Sequence, residues 1–189
     1  MNDFFLAANR TFQFSDIEVK QIQMKSLDLF SQHAETVKEF LADKNYSDEI
    51  LIELFKAHTV EVIHTCVMTS NLTADRIFDI AKDQALFLDM LRAVLTVNTA
   101  YFKPEKPKRR TKQSNEKSTW FDSFQYLIDC GHRHDDIMNM PYGAFTQYLK
   151  AAQRNELRKM RSQVNLMRSA QHAQNREFKK LLEDLKVVD

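Results

Sequence analysis

Apolar residues in the first hundred positions recur every three or four residues, which is the spacing of one face of an α-helix. The stretch "SDIE" offers Ser15 as an N-cap with Glu18 three residues later, the arrangement of a capping box. We therefore predict a first helix that opens at Ile17 and runs to Leu41.

Three more helices are predicted in the same region. Ser47 begins the second, whose apolar residues keep helical spacing to Val67, and Thr73 begins a short third helix. The fourth runs from about Ala81 to Phe102 and is apolar on almost every side. A helix of this kind is either central in its domain or faces a partner, and we interpret it as the central helix of a four-helix domain.

A second group of helices is predicted after residue 118. One helical face of "WFDSFQYLIDC" carries Trp120, Phe124, Leu127 and Ile128. Gly131 supplies the left-handed residue that often ends such a helix. The stretch "HRHDDIMNM" then predicts a turn and a short helix capped by Asp135 or His134, and Pro141 suits the first position of the next helix.

The last of these helices changes character along its length. Beyond Ala152 its residues narrow to a stripe at near-heptad spacing among many basic residues, namely Leu157, Met160, Val164, Met167 and Ala170 or Gln171. A stripe this narrow favours a coiled-coil seam or the binding of a partner helix over a globular core. Methionine side chains are adaptable, which favours transient binding.

Composition supports the helical interpretation. The chain has only two glycines and three prolines in 189 residues, too few for the tight turns that β-hairpins require. We predict an all-α protein with an N-terminal helical domain over 1–102, a flexible basic linker over 103–118, and a C-terminal helical partner-binding module over 119–189 that ends in a long helix. No export segment, disulfide framework or membrane span is indicated, which favours an intracellular protein.

Charge is distributed unevenly between these segments. Residues 1–102 carry 9 Lys/Arg against 15 Asp/Glu, a net of −6, whereas 103–118 carry 7 against 2, a net of +5. The middle segment, "KPEKPKRRTKQSNEKS", has two prolines and no large apolar anchor, so it is predicted to be a solvated tether. An electrostatic contact with nucleic acid is the competing interpretation.

A cluster of polar residues opens two interpretations of the second module. Cys130, His132, His134, Asp135 and Asp136 fall within seven positions. Such side chains can bind zinc or iron, but they all lie in one short loop and no second ligand set exists elsewhere in the chain. We interpret them as turn and capping residues, and we predict no metal site.

No arrangement of residues indicates catalysis. His33, His58 and His64 lack metal-binding spacing, and Cys66 lies in the apolar stretch "VIHTCVM" without an evident base. We predict no enzymatic activity, no catalytic residue and no cofactor. The predicted partner-binding residues are Tyr142, Phe145, Tyr148, Leu149, Met160, Val164 and Met167.

Two stretches resemble the tail assembly chaperones of long-tailed bacteriophages, which accompany the tape-measure protein. "LFLDMLRAVLTVNTAYF", residues 86–102, is similar to the end of the family's N-terminal domain, an apolar helix that finishes in Val-Asn-x-x-[YF]-Phe. "FQYLIDCGHRHDDIMNMPYGAFTQYLKAA", residues 124–152, is similar to its C-terminal module.

The resemblance implies a non-catalytic function in the host cytoplasm during virion assembly. Members bind the tape-measure protein, keep it soluble and help to recruit tail-tube protein. The near-heptad stripe separately gives self-association through the C-terminal helix as an expectation, and no membrane partner is expected. Two alternatives remain at this point: a structural or assembly component of the baseplate hub, and a regulatory nucleic-acid-binding protein.

Overall fold

The computed structural model describes residues 3–103 and 119–172, together with 176 and 178–180. These residues form ten α-helices, one short 3-10 helix and one two-stranded sheet, which confirms the predominantly helical fold. In chain order the elements are α1 Asp3–Ala7, β1 Phe12–Phe14, β2 Ile17–Val19, the 3-10 helix Met24–Ser26, α2 Leu27–Phe40, α3 Asp48–Ala57, α4 Thr59–Met68, α5 Ala74–Ile80, α6 Gln84–Val97, α7 Thr99–Phe102, α8 Trp120–Asp129, α9 His134–Asn139 and α10 Tyr142–His172.

The predicted start of the first helix was wrong. Ser15 does not cap a helix but lies at φ +54° in the turn between β1 and β2, where Phe14 pairs with Ile17. Ile17 and Val19 are both buried, with Glu18 between them, and this alternation is the period of a strand. Helix α2 begins only at Leu27, directly after the 3-10 helix Met24–Ser26, and the residues from β2 to Gln23 are not helical.

The predicted second helix is two helices in the structure. The backbone at His58 leaves the helical region, at φ −136° and ψ 49°, and separates α3 from α4. The predicted starts at Ser47 and Thr73 are confirmed as the N-cap positions of α3 and α5. The Thr73 hydroxyl accepts a hydrogen bond from the backbone N–H of Arg76 at 3.4 Å.

Helix α6 is buried along most of its length, in agreement with its predicted central position. Its buried side chains are Phe87, Leu88, Met90, Leu91, Val94, Leu95 and Val97. Asn98 separates it from the short α7, which contributes Tyr101 and Phe102 to the core. Both rings lie edge-on to Phe30 of α2, with centroid distances of 5.0 and 6.1 Å.

The buried side chain of Asn98 joins the end of α6 to the extended segment that follows β2. Its Nδ2 donates to the carbonyl of Lys20 at 3.1 Å, and its Oδ1 accepts from the backbone N–H of Ile22 at 2.8 Å. The same Nδ2 lies 3.1 Å from the Val94 carbonyl. Asn98 therefore satisfies the buried N–H of Ile22 and the part-buried carbonyl of Lys20, whereas the Val94 carbonyl also accepts from the backbone N–H of Asn98.

The extended segment also binds the junction between α9 and α10. The N–H of Met24 donates to the Met140 carbonyl at 3.0 Å, and the N–H of Tyr142 donates to the Ile22 carbonyl at 2.8 Å. Gly143 allows a close approach here, since a Cβ at this position would lie 2.9 Å from Leu6 and 3.3 Å from Ala100. These contacts attach the start of α10 to the N-terminal helices.

The compact units of the structure differ from the predicted domain boundaries. One unit comprises Met1–Leu149, and the second comprises Lys150–Asp189. Helices α8 and α9 thus belong with the N-terminal helices, because the hydrogen bonds to Ile22 and Met24 join segments more than a hundred residues apart. Of the predicted linker 103–118, residues 104–118 lie outside the described part of the chain.

None of the helices described here is both long enough and apolar enough to cross a membrane.

Replacing Asn98 by Ala should lower the free energy of unfolding by roughly 3 kcal/mol, because buried backbone groups lose their partners at about 1–3 kcal/mol each. Asn71 is the matched control. It is exposed, and its side chain likewise bonds two backbone groups, those of Glu18 and Asp16. Asn71→Ala should cost about 1 kcal/mol or less. Urea denaturation followed by circular dichroism measures both, and equal losses would contradict the role given to Asn98.

Candidate partner-binding surface

The polar cluster at the end of α8 forms a helix-ending turn. Gly131 has φ +99°, its N–H donates to the Ile128 carbonyl at 2.8 Å, and the N–H of His132 donates to the Leu127 carbonyl at 3.0 Å. This pair of bonds closes the last turn of a helix around a left-handed glycine. The predicted role of Gly131 is confirmed.

The predicted capping of α9 was wrong. Arg133, not Asp135 or His134, occupies the N-cap position, and its side chain makes no capping bond. Asp135 and Asp136 lie in the first turn, where a negative charge is favourable beside the helix N-terminus. Pro141 lies directly before α10 rather than at its first position.

The imidazole of His132 packs against an aromatic ring. Its centroid lies 5.1 Å from that of Tyr148, in an edge-to-face arrangement. In the described part of the chain, no group of three or more His, Cys, Asp or Glu side chains is arranged to hold a metal ion. The contact with Tyr148 gives His132 a packing role within the compact unit.

The two cysteines differ in their surroundings. Cys66 is fully buried in α4, and burial raises the pKa of its thiol to about 12. Cys130 is exposed at the end of α8. Since the thiolate is the reactive form, the two thiols should react at very different rates.

A thiol reagent at about pH 8 should therefore modify Cys130 in the folded protein and reach Cys66 only after unfolding. The measurement is the number of thiols labelled with and without denaturant, with Cys130→Ser as the control that should show no rapid labelling. Rapid labelling of the folded Cys130→Ser variant would contradict the buried position of Cys66.

The predicted partner-binding residues fall into two groups. Phe145 is only 1% exposed, and its ring centroid lies 6.0 Å from Trp120 and 5.8 Å from Phe124. Tyr142 is half-buried, with its ring 5.7 Å from Tyr101. The assignment of Phe145 to a docking surface is corrected, because its side chain belongs to the core of the first unit.

The next two predicted residues lie at the edge of that core. Tyr148 is partly exposed and contacts His132, whereas Leu149, the last residue of the first unit, is half-buried. Their apolar surface is largely used by the unit to which they belong.

The remaining predicted residues are exposed on the part of α10 that belongs to the second unit. Met160 is 50% exposed, Val164 is 62% exposed and Met167 is 66% exposed, and Leu157 is also exposed. Because these four residues are spaced by three, four and three positions, they lie along one face of the helix. We call Leu157, Met160, Val164 and Met167 the α10 stripe.

Two apolar grooves of the first unit were not anticipated from the sequence. One, of about 540 Å³, lies between the β1 strand and α6, and its walls include Phe5, Phe12, Phe14 and Val97. Its signal in the sequence is the pair Phe12 and Phe14 at alternate positions, which lie before the predicted first helix and were assigned to no element.

The second groove, also of about 540 Å³, is lined partly by Trp120, Phe124, Tyr101 and Glu35. The Tyr101 hydroxyl donates to the Glu35 carboxylate at 2.8 Å. Partial burial raises the pKa of the Glu35 carboxyl, but the hydrogen bonds from Lys38 and Tyr101 together lower it by more, so the pKa is lowered overall. This network holds Glu35 ionised beside the aromatic walls.

A scan against models of known protein families, together with searches of curated proteins and of solved structures, found no match to this chain.

Core and stripe positions on α10 should respond differently to truncation. Phe145→Ala removes a buried aromatic side chain and should lower the free energy of unfolding by about 3–5 kcal/mol. Met160→Ala removes an exposed side chain of the same helix and should change it by less than about 0.5 kcal/mol. Thermal and urea unfolding measure both. A similar loss in the two variants would show that the stripe is buried in the free chain.

Proposed function

We propose that this chain is a phage tail assembly chaperone that binds and solubilises the tape-measure protein and helps to recruit tail-tube protein. The proposal draws its family from the resemblance of residues 86–102 and 124–152. The single structural observation that carries it is the exposed α10 stripe, since a chaperone of this kind needs an apolar surface that is free to cover a partner.

The exposure of the stripe supports a docking role rather than a structural one. Every side chain from residue 153 to residue 171 is exposed, so the stripe has no partner within its own unit in the described residues. Burying one large apolar side chain is worth about 1.5–3 kcal/mol, so a few of them suffice for specific binding. The flexible methionines among them suit a client that presents many similar helices.

The aromatic face of α8 supplies a second surface of the same type. Phe121 is strongly exposed and Trp120 is about half-exposed, and both lie in the first turn of the helix. Aromatic side chains of this kind are enriched where proteins bind one another. Recruitment of a second partner, such as tail-tube protein, is assigned to this region.

The function is tested by co-expression with a phage tape-measure protein, followed by pull-down. Met160→Asp or Val164→Asp should reduce capture of the partner at least tenfold, because a charge replaces about 1.5–3 kcal/mol of apolar burial. Ser162→Asp is the matched control, since residue 162 is equally exposed on the opposite face of α10. It should leave capture unchanged.

Three results would count against the proposal. Failure of the unmodified chain to bind or solubilise any tape-measure protein would remove the function itself. Equal capture by Met160→Asp and Ser162→Asp would remove the stripe as its surface. Stoichiometric amounts of the chain in purified particles, detected by mass spectrometry, would favour a baseplate hub component instead.

A further inference from the structure

We propose that the α10 stripe binds an acidic amphipathic helix, whose carboxylates pair with a column of arginines along one edge of the stripe. The inference rests on the proposed function, in which this stripe is the docking surface, and it names the chemistry of the partner. It is argued from the charge and spacing of the exposed residues of α10.

The arginine column consists of Arg154, Arg161 and Arg168, which are spaced by seven residues and are all exposed. Residues seven apart on a helix differ in direction by only about 20°, so the three guanidinium groups follow one line. At about 100° per residue, this line lies roughly 80° from the centre of the stripe. The column therefore runs beside the apolar surface over its whole length.

The other edge of the stripe is not cationic. It is formed by Glu156, Gln163 and Ala170, at the corresponding positions of the heptad. In a pair of helices, the residues that flank the apolar seam determine the choice and orientation of the partner through ion pairs. The arginine edge of this stripe would therefore pair best with a partner helix that carries a carboxylate every seven residues.

None of the three arginines makes an ion pair within the described part of the chain. Between residues 150 and 172 there are six Lys/Arg against a single Glu, a net charge of +5. A partner that buries the stripe and brings acidic residues to its edge both covers apolar surface and neutralises this charge. An acidic amphipathic helix would do both, since its apolar face would bury the stripe and its carboxylates would neutralise the arginines.

A second copy of the chain fits this surface poorly. An antiparallel pairing would place the arginine columns against each other, which is repulsive. A parallel pairing would offer Arg161 the partner copy's Glu156, but it would offer Arg168 only Gln163. It would also double a net charge of +5. An acidic partner satisfies all three arginines, so it is the better complement.

Nucleic acid also fits poorly. Phosphates could pair with the arginines. The helix face beside those arginines would then also meet the nucleic acid, and it carries the apolar residues Leu157, Met160, Val164 and Met167. Helices that bind nucleic acid place cationic and polar side chains on the face that meets it. The apolar stripe at this position favours a protein helix.

The test uses the full-length chain and synthetic peptides of about four heptads with Ile and Leu in the seam. One peptide carries Glu at both flanking positions and the other carries Lys, and repulsion keeps each from pairing with itself. Binding is measured by fluorescence anisotropy. The chain should bind the Glu peptide at least tenfold more tightly than the Lys peptide, because each flanking pair is attractive with Glu and repulsive with Lys.

Charge exchange provides the matched comparison. Arg161→Glu with Arg168→Glu should reverse the preference, so that the Lys peptide binds more tightly. Arg158→Glu with Lys159→Glu makes the same change in net charge away from the stripe and should keep the preference for the Glu peptide. All four residues are exposed, and circular dichroism verifies that helicity is retained.

Several outcomes would overturn the inference: absence of binding to the Glu peptide, equal loss of preference in both double variants, displacement of the Glu peptide by duplex DNA at equal concentration, or a dimer that the Glu peptide does not dissociate. Failure here is distinguishable from failure of the proposed function. Capture of the tape-measure protein without peptide binding would leave the chaperone role and remove only the acidic-helix chemistry.

Discussion

The fold of the first unit depends on one short segment, from Lys20 to Met24 at the start of the 3-10 helix, and on the hydrogen bonds that hold it. The N–H of Lys20 bonds the carbonyl of Thr69 at 2.7 Å after α4, and Asn98 after α6 bonds Lys20 and Ile22. The segment then bonds the junction of α9 and α10. Because buried backbone groups must be paired, three distant parts of the chain are fixed around these five residues.

This constraint explains which parts of the fold were predictable. Helices with strong local signals, such as the starts at Ser47 and Thr73 and the end at Gly131, were predicted correctly because their caps are set by neighbouring residues. The β-hairpin was not, since "SDIE" has the residues of a capping box, whereas in the structure this segment pairs with β1 and Val19 also pairs with Ser70. Long-range pairing overrides local propensity here.

The candidate surface was predictable to a similar extent. Phe145 and Met160 both lie on the apolar face of a helical pattern, and periodicity alone does not distinguish a face buried in its own core from one left for a partner. The difference is visible in the surroundings. Phe145 follows residues that pack on the extended segment, whereas Met160 lies among Arg158, Lys159 and Arg161. A narrow apolar line within a cationic segment was therefore the more informative signal.

The separation of core from stripe has a consequence for binding energetics. From residue 153 to residue 171 α10 has no buried side chain, so its helicity there comes from intrinsic propensity and neighbouring turns rather than from tertiary packing. Isolated helices of this length are marginally stable in water. A partner helix that covers the stripe would therefore stabilise α10 as well as itself, and part of the binding free energy would be used to order both helices. Affinity is lowered by this coupling, which is compatible with the proposed chaperone role because that role requires release of the partner.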